Sequence, residues 1–171
     1  MPIRMRPMKA TDLIHLQQAN LNCLAENYQL WFWIYHQLSC PQVSHVATNS
    51  KGKIVGYVLG KLDEDMNKNF MKTKEYYGGL TSVAVFNSYR KLGIATKLIV
   101  YTHRAFRQNF KTTHINLNVR ETNRAGHKLY KDTLGYKFRF EEKGYYADGE
   151  TGFTLTYTFP GEAEPKPMHN K

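Results

Sequence analysis

The stretch Ser88-Tyr89-Arg90-Lys91-Leu92-Gly93-Ile94-Ala95-Thr96-Lys97-Leu98 predicts more about this chain than any other. It follows the strand-like segment Leu80-Thr81-Ser82-Val83-Ala84-Val85 and opens into an amphipathic helix. The first N–H groups of a helix lack intrahelical partners and face the positive end of the helix dipole, so the turn predicts an anion-binding site. Arg90 and Lys91 add positive charge, and Gly93 allows close approach to the backbone. The spacing Arg-x-x-Gly-x-Ala matches neither dinucleotide folds nor P-loops.

Length and composition predict one compact domain over residues 1–159, followed by a flexible tail over 160–171. The chain has 171 residues, of which 42% are hydrophobic. The apolar run over residues 30–35 is too short to cross a membrane, and the N-terminus lacks an apolar signal segment, so we expect a cytoplasmic protein. Cys23 and Cys40 form neither a disulfide framework nor a metal-binding spacing, and no metal site is predicted.

The charge favours an anionic partner. The chain has 24 Lys and Arg against 14 Asp and Glu, a formal net charge of +10. This excess suits RNA, a ribosome surface or a phosphorylated cofactor. The basic residues are spread along the chain and no RNA-binding motif is present, so charge does not choose among these partners, and a solvated basic surface explains it as well.

Hydrophobic periodicity and turn residues predict an α/β fold with a mixed central sheet of about seven strands and about four helices. The predicted helices cover residues 9–24, about 31–38, about 93–109 and 123–134. The predicted strands cover residues 3–6, 43–47, 54–59, about 78–85, 114–119, 136–141 and 153–159. Residues 63–77 lack a clear period and predict a mobile surface loop.

Helical spacing also predicts which residues form the apolar faces. Thr11 is the expected N-cap of the first helix. The expected apolar positions are Leu13, Leu16, Leu21 and Leu24 in the first helix, Trp31, Ile34, Tyr35 and Leu38 in the second, and Ile94, Leu98, Tyr101 and Ala105 in the third.

The glycine turn in its strand-to-helix context resembles the acetyl-CoA pyrophosphate loop of the GCN5-related N-acetyltransferase superfamily. Within it, the chain resembles the catalytic subunits of N-terminal acetyltransferase A complexes, the Ard1 type, over residues 3 to about 155. Five motifs carry this resemblance: Leu24-Ala25-Glu26-Asn27-Tyr28, Tyr35-His36-Gln37-Leu38-Ser39-Cys40-Pro41-Gln42, Gly52-Lys53-Ile54-Val55-Gly56-Tyr57-Val58-Leu59, Asn118-Val119-Arg120-Glu121-Thr122-Asn123-Arg124-Ala125 and Tyr145-Tyr146-Ala147-Asp148-Gly149-Glu150.

The resemblance implies an enzyme that moves an acetyl group from acetyl-CoA to the α-amino group of nascent proteins. Type A members prefer Ser, Ala, Thr or Gly ends exposed by methionine removal. The residues implied to bind the cosubstrate lie on the fourth strand, the glycine turn and the fourth helix. They are Val83, Ala84, Val85, Arg90, Lys91, Leu92, Gly93, Ile94, Ala95, Thr96, Asn123 and Tyr130.

The resemblance also assigns chemical roles. An α-amino group titrates at about 7.7–8.0, so a weak base suffices to remove its last proton. Glu26 is the predicted base, acting through a water, although a local surface pairing would explain this carboxylate too. A bulge in the fourth strand is expected to leave a backbone N–H for the oxyanion. Tyr130 falls near the coenzyme sulfur, with core packing as the alternative reading.

Two walls of a peptide groove are implied. Leu24, Glu26 and Tyr28 belong to the interhelical loop, Tyr145 and Tyr146 belong to the last hairpin, and Arg120 organises the floor.

Type A subunits work with a large helical-repeat scaffold, so helices one and two, with the run Trp31-Phe32-Trp33, are the predicted partner face. At least one aromatic of that run is expected to be exposed. Ribosome association is a further possibility.

Three departures from the type A pattern bear on the activity. Ala25 replaces a proline, Gly79 stands where relatives carry histidine, and Gly152-Phe153 replaces the end of an Asp-Ala-Tyr segment. Two alternatives therefore stay open: type B specificity for Met followed by Asp, Glu or Asn, and a catalytically weak acetyl-CoA-binding, ribosome-associated subunit.

Overall fold

The structure, a computed structural model, describes residues 2–64 and 76–165. Its helices and strands occur in the predicted order. They are β1 (Arg4–Pro7), α1 (Leu13–Cys23), α2 (Leu30–Ser39), β2 (His45–Thr48), β3 (Ile54–Glu64), β4 (Tyr76–Val85), α3 (Ile94–Phe110), β5 (His114–Arg120), α4 (Arg124–His127), β6 (Lys137–Glu142) and β7 (Gly152–Thr158). Seven strands and four α-helices in this order confirm the predicted α/β fold class.

The chain divides into two compact units. The first comprises Met1–Leu62 and Leu80–Lys111, and its strands follow the order β1-β2-β3-β4. The second comprises Asp63–Gly79 and Thr112–Lys171, where the beginning of β4 is followed by β5-β7-β6. The pairs β1/β2 and β2/β3 are antiparallel, and so are β5/β7 and β6/β7.

The core of the first unit is built from the buried faces of α1 and α2 on apolar strand residues. Leu16 and Trp33 are completely buried and pack in one cluster with Tyr57, whose ring meets the Trp33 ring edge-on at 5.4 Å. Burying side chains of this size contributes about 1.5–3 kcal/mol each. The cluster fixes both helices on the strands and thereby the loop between them.

The apolar positions predicted for α2 form its exposed face. All four residues are exposed, with Trp31 at 65% and Leu38 at 77%. The buried face instead consists of Trp33 and His36. His36 is buried because both ring nitrogens have partners: Nδ1 lies 2.9 Å from the Phe32 carbonyl oxygen and Nε2 lies 2.8 Å from Thr81 Oγ1. The exposed aromatic expected in this helix is confirmed by Trp31.

Two predictions about the helices are wrong. Tyr101 of α3, expected to be inward, is exposed. In α3 the inward position next to Tyr101 is taken by Thr102, whose hydroxyl lies 2.9 Å from His45 Nδ1. Thr11 lies in a 3₁₀ turn, Ala10–Asp12, and does not cap α1.

The prediction of a loop over residues 63–77 is wrong at both of its ends. β3 continues through Asp63 to Glu64 and β4 begins at Tyr76, so the ends of the predicted 63–77 loop belong to strands. Its centre, residues 65–75, lies outside the described residues. In the predicted tail, Glu164 pairs with Lys137 Nζ at 2.6 Å, and residues 166–171 also lie outside the described part.

Lys111 ends α3 in the left-handed region, with φ +52. A non-glycine residue there is strained by about 1–2 kcal/mol, whereas glycine is not. We expect Lys111→Gly to stabilise the chain by about 1 kcal/mol, raising Tm by about 2–4 °C in thermal unfolding. Lys97→Gly, in the interior of the same helix, is the matched control and should lower stability by about 1 kcal/mol. Equal effects of the two substitutions would contradict the assignment of strain to Lys111.

Candidate active site

The turn between β4 and α3 has the conformation of an anion cradle. Gly93 is the N-cap of α3 with φ +72, and a Cβ built on it meets nothing within 4 Å. Glycine is therefore needed for the backbone conformation and not to avoid crowding. The first intrahelical bond runs from the Lys97 N–H to the Gly93 carbonyl, so the N–H groups of Ile94, Ala95 and Thr96 have no helical partner.

Positive charge surrounds this helix start. Arg90 Nε donates to the Val85 carbonyl oxygen at 3.0 Å, which ties the turn to the end of β4. The first turn of α3 contains no acidic residue. Lys91 has φ +61, a strained conformation for a side-chain-bearing residue. Together these features suit a phosphate or pyrophosphate.

Cys23, the last residue of α1, lies beside the cradle. Burial raises the pKa of its thiol, and the positive charge of the nearby Arg90 guanidinium opposes the rise. The thiol therefore stays protonated at neutral pH. Since the loop that carries Glu26 begins directly after Cys23, this proximity places the base of the loop next to the cradle.

The other cosubstrate residues predicted in the first unit differ in exposure. Ala84 and Val85 are buried and Val83 is half-buried on β4. Ile94 is buried, so only its backbone faces a ligand, whereas Leu92 is 62% exposed. These burial differences leave Val83 and Leu92 as the more accessible side chains among the residues compared.

The Leu24–Tyr28 loop connects α1 to α2. Leu24 and Glu26 are half-buried, and the Tyr28 ring stacks on Phe32 with centroids 4.2 Å apart. Asn20 in α1 holds the loop from inside: its Nδ2 donates to the Glu26 carbonyl oxygen at 2.8 Å, and its Oδ1 accepts from the Tyr28 N–H at 3.0 Å. Glu26 thus sits on an ordered segment.

In the second unit, Arg120 at the end of β5 joins the turn between β6 and β7. Its Nη1 donates to Asp148 Oδ2 at 2.8 Å and to Glu150 Oε2 at 2.6 Å. The guanidinium also lies 4.1 Å from the centroid of the Tyr146 ring. We name Arg120, Tyr146, Asp148 and Glu150 the arginine clamp.

Both carboxylates of the arginine clamp have lowered pKa values. The Glu150 backbone N–H and then Arg120 lower the pKa of Asp148, and Thr122, followed by Arg120, lowers the pKa of Glu150. A lowered folded-state pKa means that the contribution to stability is complete above the unfolded value and is lost as pH falls through the folded value. The clamp is therefore fully charged at neutral pH.

Tyr145 faces a different set of partners. Its hydroxyl accepts from Asn118 Nδ2 at 2.7 Å, and its ring lies against the backbone of Gly152. A Cβ at Gly152 would come within 2.8 Å of that ring. The ring is 43% exposed and meets Tyr146 edge-on at 5.0 Å. The two tyrosines and Arg120 are thus brought together, as predicted for one wall and the floor of a groove.

Tyr130 and Asn123 belong to the fourth helical segment. Asn123 Oδ1 accepts from the Gly126 N–H at 2.9 Å, so it is the N-cap of α4. After α4 the chain forms a π-helical turn, Lys128–Thr133, which contains Tyr130. Such turns often occur at functional sites. Burial raises the pKa of Tyr130 to about 12, so its hydroxyl is a proton or hydrogen-bond donor at neutral pH.

Gly79 is buried within β4, so no imidazole is available at that position. Among residues 2–64 and 76–165, no group of three or more His, Cys, Asp and Glu side chains is arranged to hold a metal ion. No described helix is long and apolar enough to span a bilayer. Because position 79 carries no imidazole, Glu26 remains the base that the sequence analysis proposes.

Several residues that shape the site escaped the sequence analysis. Asn20, Asn118, Asp148 and Glu150 contact predicted site residues without having been named as site residues. Asn20 carried a detectable signal: it is a poor helix former that follows Leu13 and Leu16 at core-facing spacing. The contacts of Arg120 join residues 28 and 30 positions apart, and no local pattern reports them.

An α/β fold with an anion cradle at a strand-to-helix turn, and a carboxylate loop next to it, defines a group-transfer enzyme that uses a phosphorylated cosubstrate. A sequence model of the acetyltransferase (GNAT) family matches residues 11–136. The chain belongs to this family.

Two curated relatives and one solved structure narrow the similarity. The N-terminal acetyltransferase A complex catalytic subunit NAA10 of Arabidopsis thaliana is 44% identical over 151 residues, covering 88% of this chain and 75% of that protein. The corresponding subunit ard1 of Schizosaccharomyces pombe is 42% identical over 154 residues, covering 90% and 84%. A NatB acetyltransferase complex bound to CoA and MES superposes with TM-score 0.78 at 28% identity, covering 92% of this chain and 99% of that chain.

Proposed function

We propose that this chain is the catalytic subunit of an N-terminal acetyltransferase of type A, which moves acetyl from acetyl-CoA to α-amino groups of nascent proteins. The observation that carries the proposal is the anion cradle at the start of α3, in a chain 44% identical to a type A catalytic subunit. Its substrates are Ser, Ala, Thr and Gly ends exposed by methionine removal.

The residues present fit acetyl-CoA. The pyrophosphate binds the N–H groups at the start of α3 and the charges of Arg90 and Lys91, and the pantetheine arm runs along Val83–Val85. The cosubstrate supplies an activated acyl carbon and a leaving thiolate. The CoA-bound NatB complex, 28% identical over nearly the whole chain, supports this assignment.

Glu26 removes the proton that the attacking amine loses. The amine nitrogen bonds to the thioester carbonyl carbon, the carbon–sulfur bond breaks, and the proton from nitrogen passes through a water to the Glu26 carboxylate. Because the α-amine has a pKa of about 7.7–8.0, much of it is already neutral at working pH and a carboxylate is strong enough. A backbone N–H of β4 stabilises the oxyanion.

Tyr130 donates a proton or hydrogen bond to the departing sulfur. Its raised pKa, about 12, keeps the phenol protonated through the pH range in which the amine is reactive. A donor at the leaving atom stabilises the thiolate as it forms. Asn123 is already the N-cap of α4, and a contact with the cosubstrate adds to that role.

Each unit carries residues proposed to contact the peptide end. In the first unit they are Leu24 and Tyr28 of the interhelical loop, and in the second unit they are Tyr145 and Tyr146 of the last hairpin. Tyrosine offers an apolar face for packing and a hydroxyl for the peptide backbone.

The arginine clamp orders the Tyr145–Tyr146 wall, so we expect Arg120→Met to raise the peptide KM about tenfold. The substitution removes the charge-assisted hydrogen bonds to Asp148 and Glu150, which solvent exposure weakens. It also removes the cation–π contact with Tyr146, which contributes about 0.5–1 kcal/mol. Steady-state kinetics at pH 7.5 measure it, and the KM for acetyl-CoA should not change. Lys137→Met, which removes the exposed pair with Glu164, is the matched control. An unchanged peptide KM in Arg120→Met would contradict the role of the clamp.

The exposed apolar residues of α1 and α2 are the proposed binding face for a large helical-repeat auxiliary subunit. They are Ile14, Leu21, Leu30, Trp31, Ile34, Tyr35 and Leu38. On α2 they follow helical spacing, so they form a stripe, and such a stripe on a soluble surface is typical of a protein interface. Ribosome association and a cytoplasmic location complete the proposal, and the net charge of +10 is consistent with a ribosome surface.

Peptides that begin with Ser, Ala, Met-Asp, Met-Leu, Asp or Glu, assayed with acetyl-CoA, test the specificity. We expect turnover on Ser and Ala ends. A preference for Met-Asp would replace type A with type B, and turnover only on acidic ends would indicate a subunit that requires its scaffold for type A selectivity. Acetyl-CoA binding without turnover would favour a catalytically weak subunit, which Gly79 makes the main competing reading.

A further inference from the structure

We propose that Asn20 is the positioning residue for Glu26: its amide fixes the Glu26 loop relative to the strands of the first unit, so that the carboxylate is held where the proton is released. This inference rests on the proposed function of Glu26 as the base. It concerns a residue that does not itself touch the substrate.

The amide of Asn20 makes two complementary bonds to the loop. Nδ2 donates to the Glu26 carbonyl oxygen at 2.8 Å, and Oδ1 accepts from the Tyr28 N–H at 3.0 Å. The chemistry fixes this orientation, because a carbonyl only accepts and an N–H only donates. The two contacts bracket Asn27 and close the backbone of the loop onto one side chain.

A third bond from the same residue begins the loop. The Leu24 N–H donates to the Asn20 carbonyl oxygen at 3.0 Å and ends α1. The backbone of Asn20 thus closes the last turn of α1, and the side chain of Asn20 binds the backbone again at Tyr28, eight residues later. An asparagine in the interior of a helix is unfavourable by itself, so a tertiary role explains its presence there.

Asn20 is also connected to the strands. It is completely buried. Burial raises the pKa of the Tyr57 hydroxyl, and the nearby Ser82 and Asn20 side chains oppose the rise. That hydroxyl lies 3.0 Å from Ser82 Oγ on β4. Tyr57 is itself fully buried against Trp33. Ser82 directly precedes Val83, the first residue proposed to contact the pantetheine arm. The chain of contacts thus runs from the Glu26 backbone to the strand that aligns the cosubstrate.

The closing experiment compares Asn20→Ala and Asn20→Leu with Leu16→Ala, each alone and with Glu26→Gln. Leu16 is equally buried in α1, but its apolar side chain makes no hydrogen bond to the loop, so Leu16→Ala reports the cost of a general loss of packing. Asn20→Leu keeps the branching at Cγ with a somewhat larger side chain and removes both bonds, which covers the case in which Asn20→Ala leaves a damaging void.

We expect both Asn20 variants to lower kcat about 10- to 100-fold, as misplacement of a catalytic group by about 1 Å does. The KM for acetyl-CoA should stay within twofold of wild type. In the Glu26→Gln background the same substitutions should change kcat less than threefold, because the group that Asn20 positions is already inactive. Leu16→Ala should lower Tm with little effect on kcat.

Three results would overturn the proposal. They are kcat within twofold of wild type in both Asn20 variants, losses that multiply fully with Glu26→Gln, or an equal loss of kcat in Leu16→Ala.

Hydrogen exchange separates this inference from the proposed function. Even if wild type acetylates no peptide, the Tyr28 amide should lose protection in Asn20→Leu and keep it in Leu16→Ala, and retained protection in Asn20→Leu would refute the positioning role.

Discussion

Glu26→Gln lowers kcat on a Ser-initiated peptide about 100-fold, while acetyl-CoA binds as tightly as it does to wild type. The amide has nearly the same shape as the carboxylate but does not take up the amine proton, and a positioned base contributes about 10²–10⁴-fold. The expected loss is at the low end of this range because the substrate amine is already partly neutral near pH 7.7–8.0. Steady-state rates and isothermal titration with acetyl-CoA measure the two quantities.

Glu141→Gln is the control for Glu26→Gln, since it removes one exposed carboxylate from β6, away from the proposed proton path. It should leave kcat unchanged. Because position 79 is a glycine and offers no imidazole, a Glu26→Gln enzyme with more than half of the wild-type rate would leave the chain without an identified base. The assignment of Glu26 would then be wrong.

Gly93→Val raises the dissociation constant of acetyl-CoA at least tenfold and lowers the stability of the fold. At φ +72 a β-branched residue is strained by about 1–3 kcal/mol, so the turn shifts and the three N–H groups of the cradle lose alignment. The new side chain also projects from the surface that a pyrophosphate would contact. Titration with acetyl-CoA and thermal unfolding measure the two effects.

Gly52→Val separates strain from ligand binding. Gly52 has φ +77, open space around its Cβ position and a place in the turn between β2 and β3. It should lose similar stability and bind acetyl-CoA normally. If Gly93→Val binds acetyl-CoA as tightly as Gly52→Val does, the start of α3 is not the pyrophosphate site.

Local patterns predicted the parts of the site that depend on neighbouring residues. The glycine turn and the individual strands and helices were each visible in short stretches of sequence, and the structure confirms them. Helix α2 shows where such patterns fail. Its apolar stripe was correct as a stripe, but periodicity does not say which face meets the core, and Trp33 and His36 occupy that face instead.

Contacts between distant residues were outside the reach of sequence patterns. The arginine clamp and the Asn20 network form only when the unit folds, and each pairs a predicted site residue with one that the sequence analysis did not name as a site residue. The sequence also did not predict the π-helical turn around Tyr130, because its residues fit an α-helical pattern equally well. The roles assigned to Glu26 and Tyr130 in the reaction stay predictions.

The most direct test of the central claim is tandem mass spectrometry on one peptide that begins with Ser and contains an internal lysine, after incubation with acetyl-CoA and the full chain. The account predicts a single acetyl group on the α-amine and none on the lysine ε-amine. Acetylation of the lysine alone, or no acetylated product from a chain that binds acetyl-CoA, would contradict it.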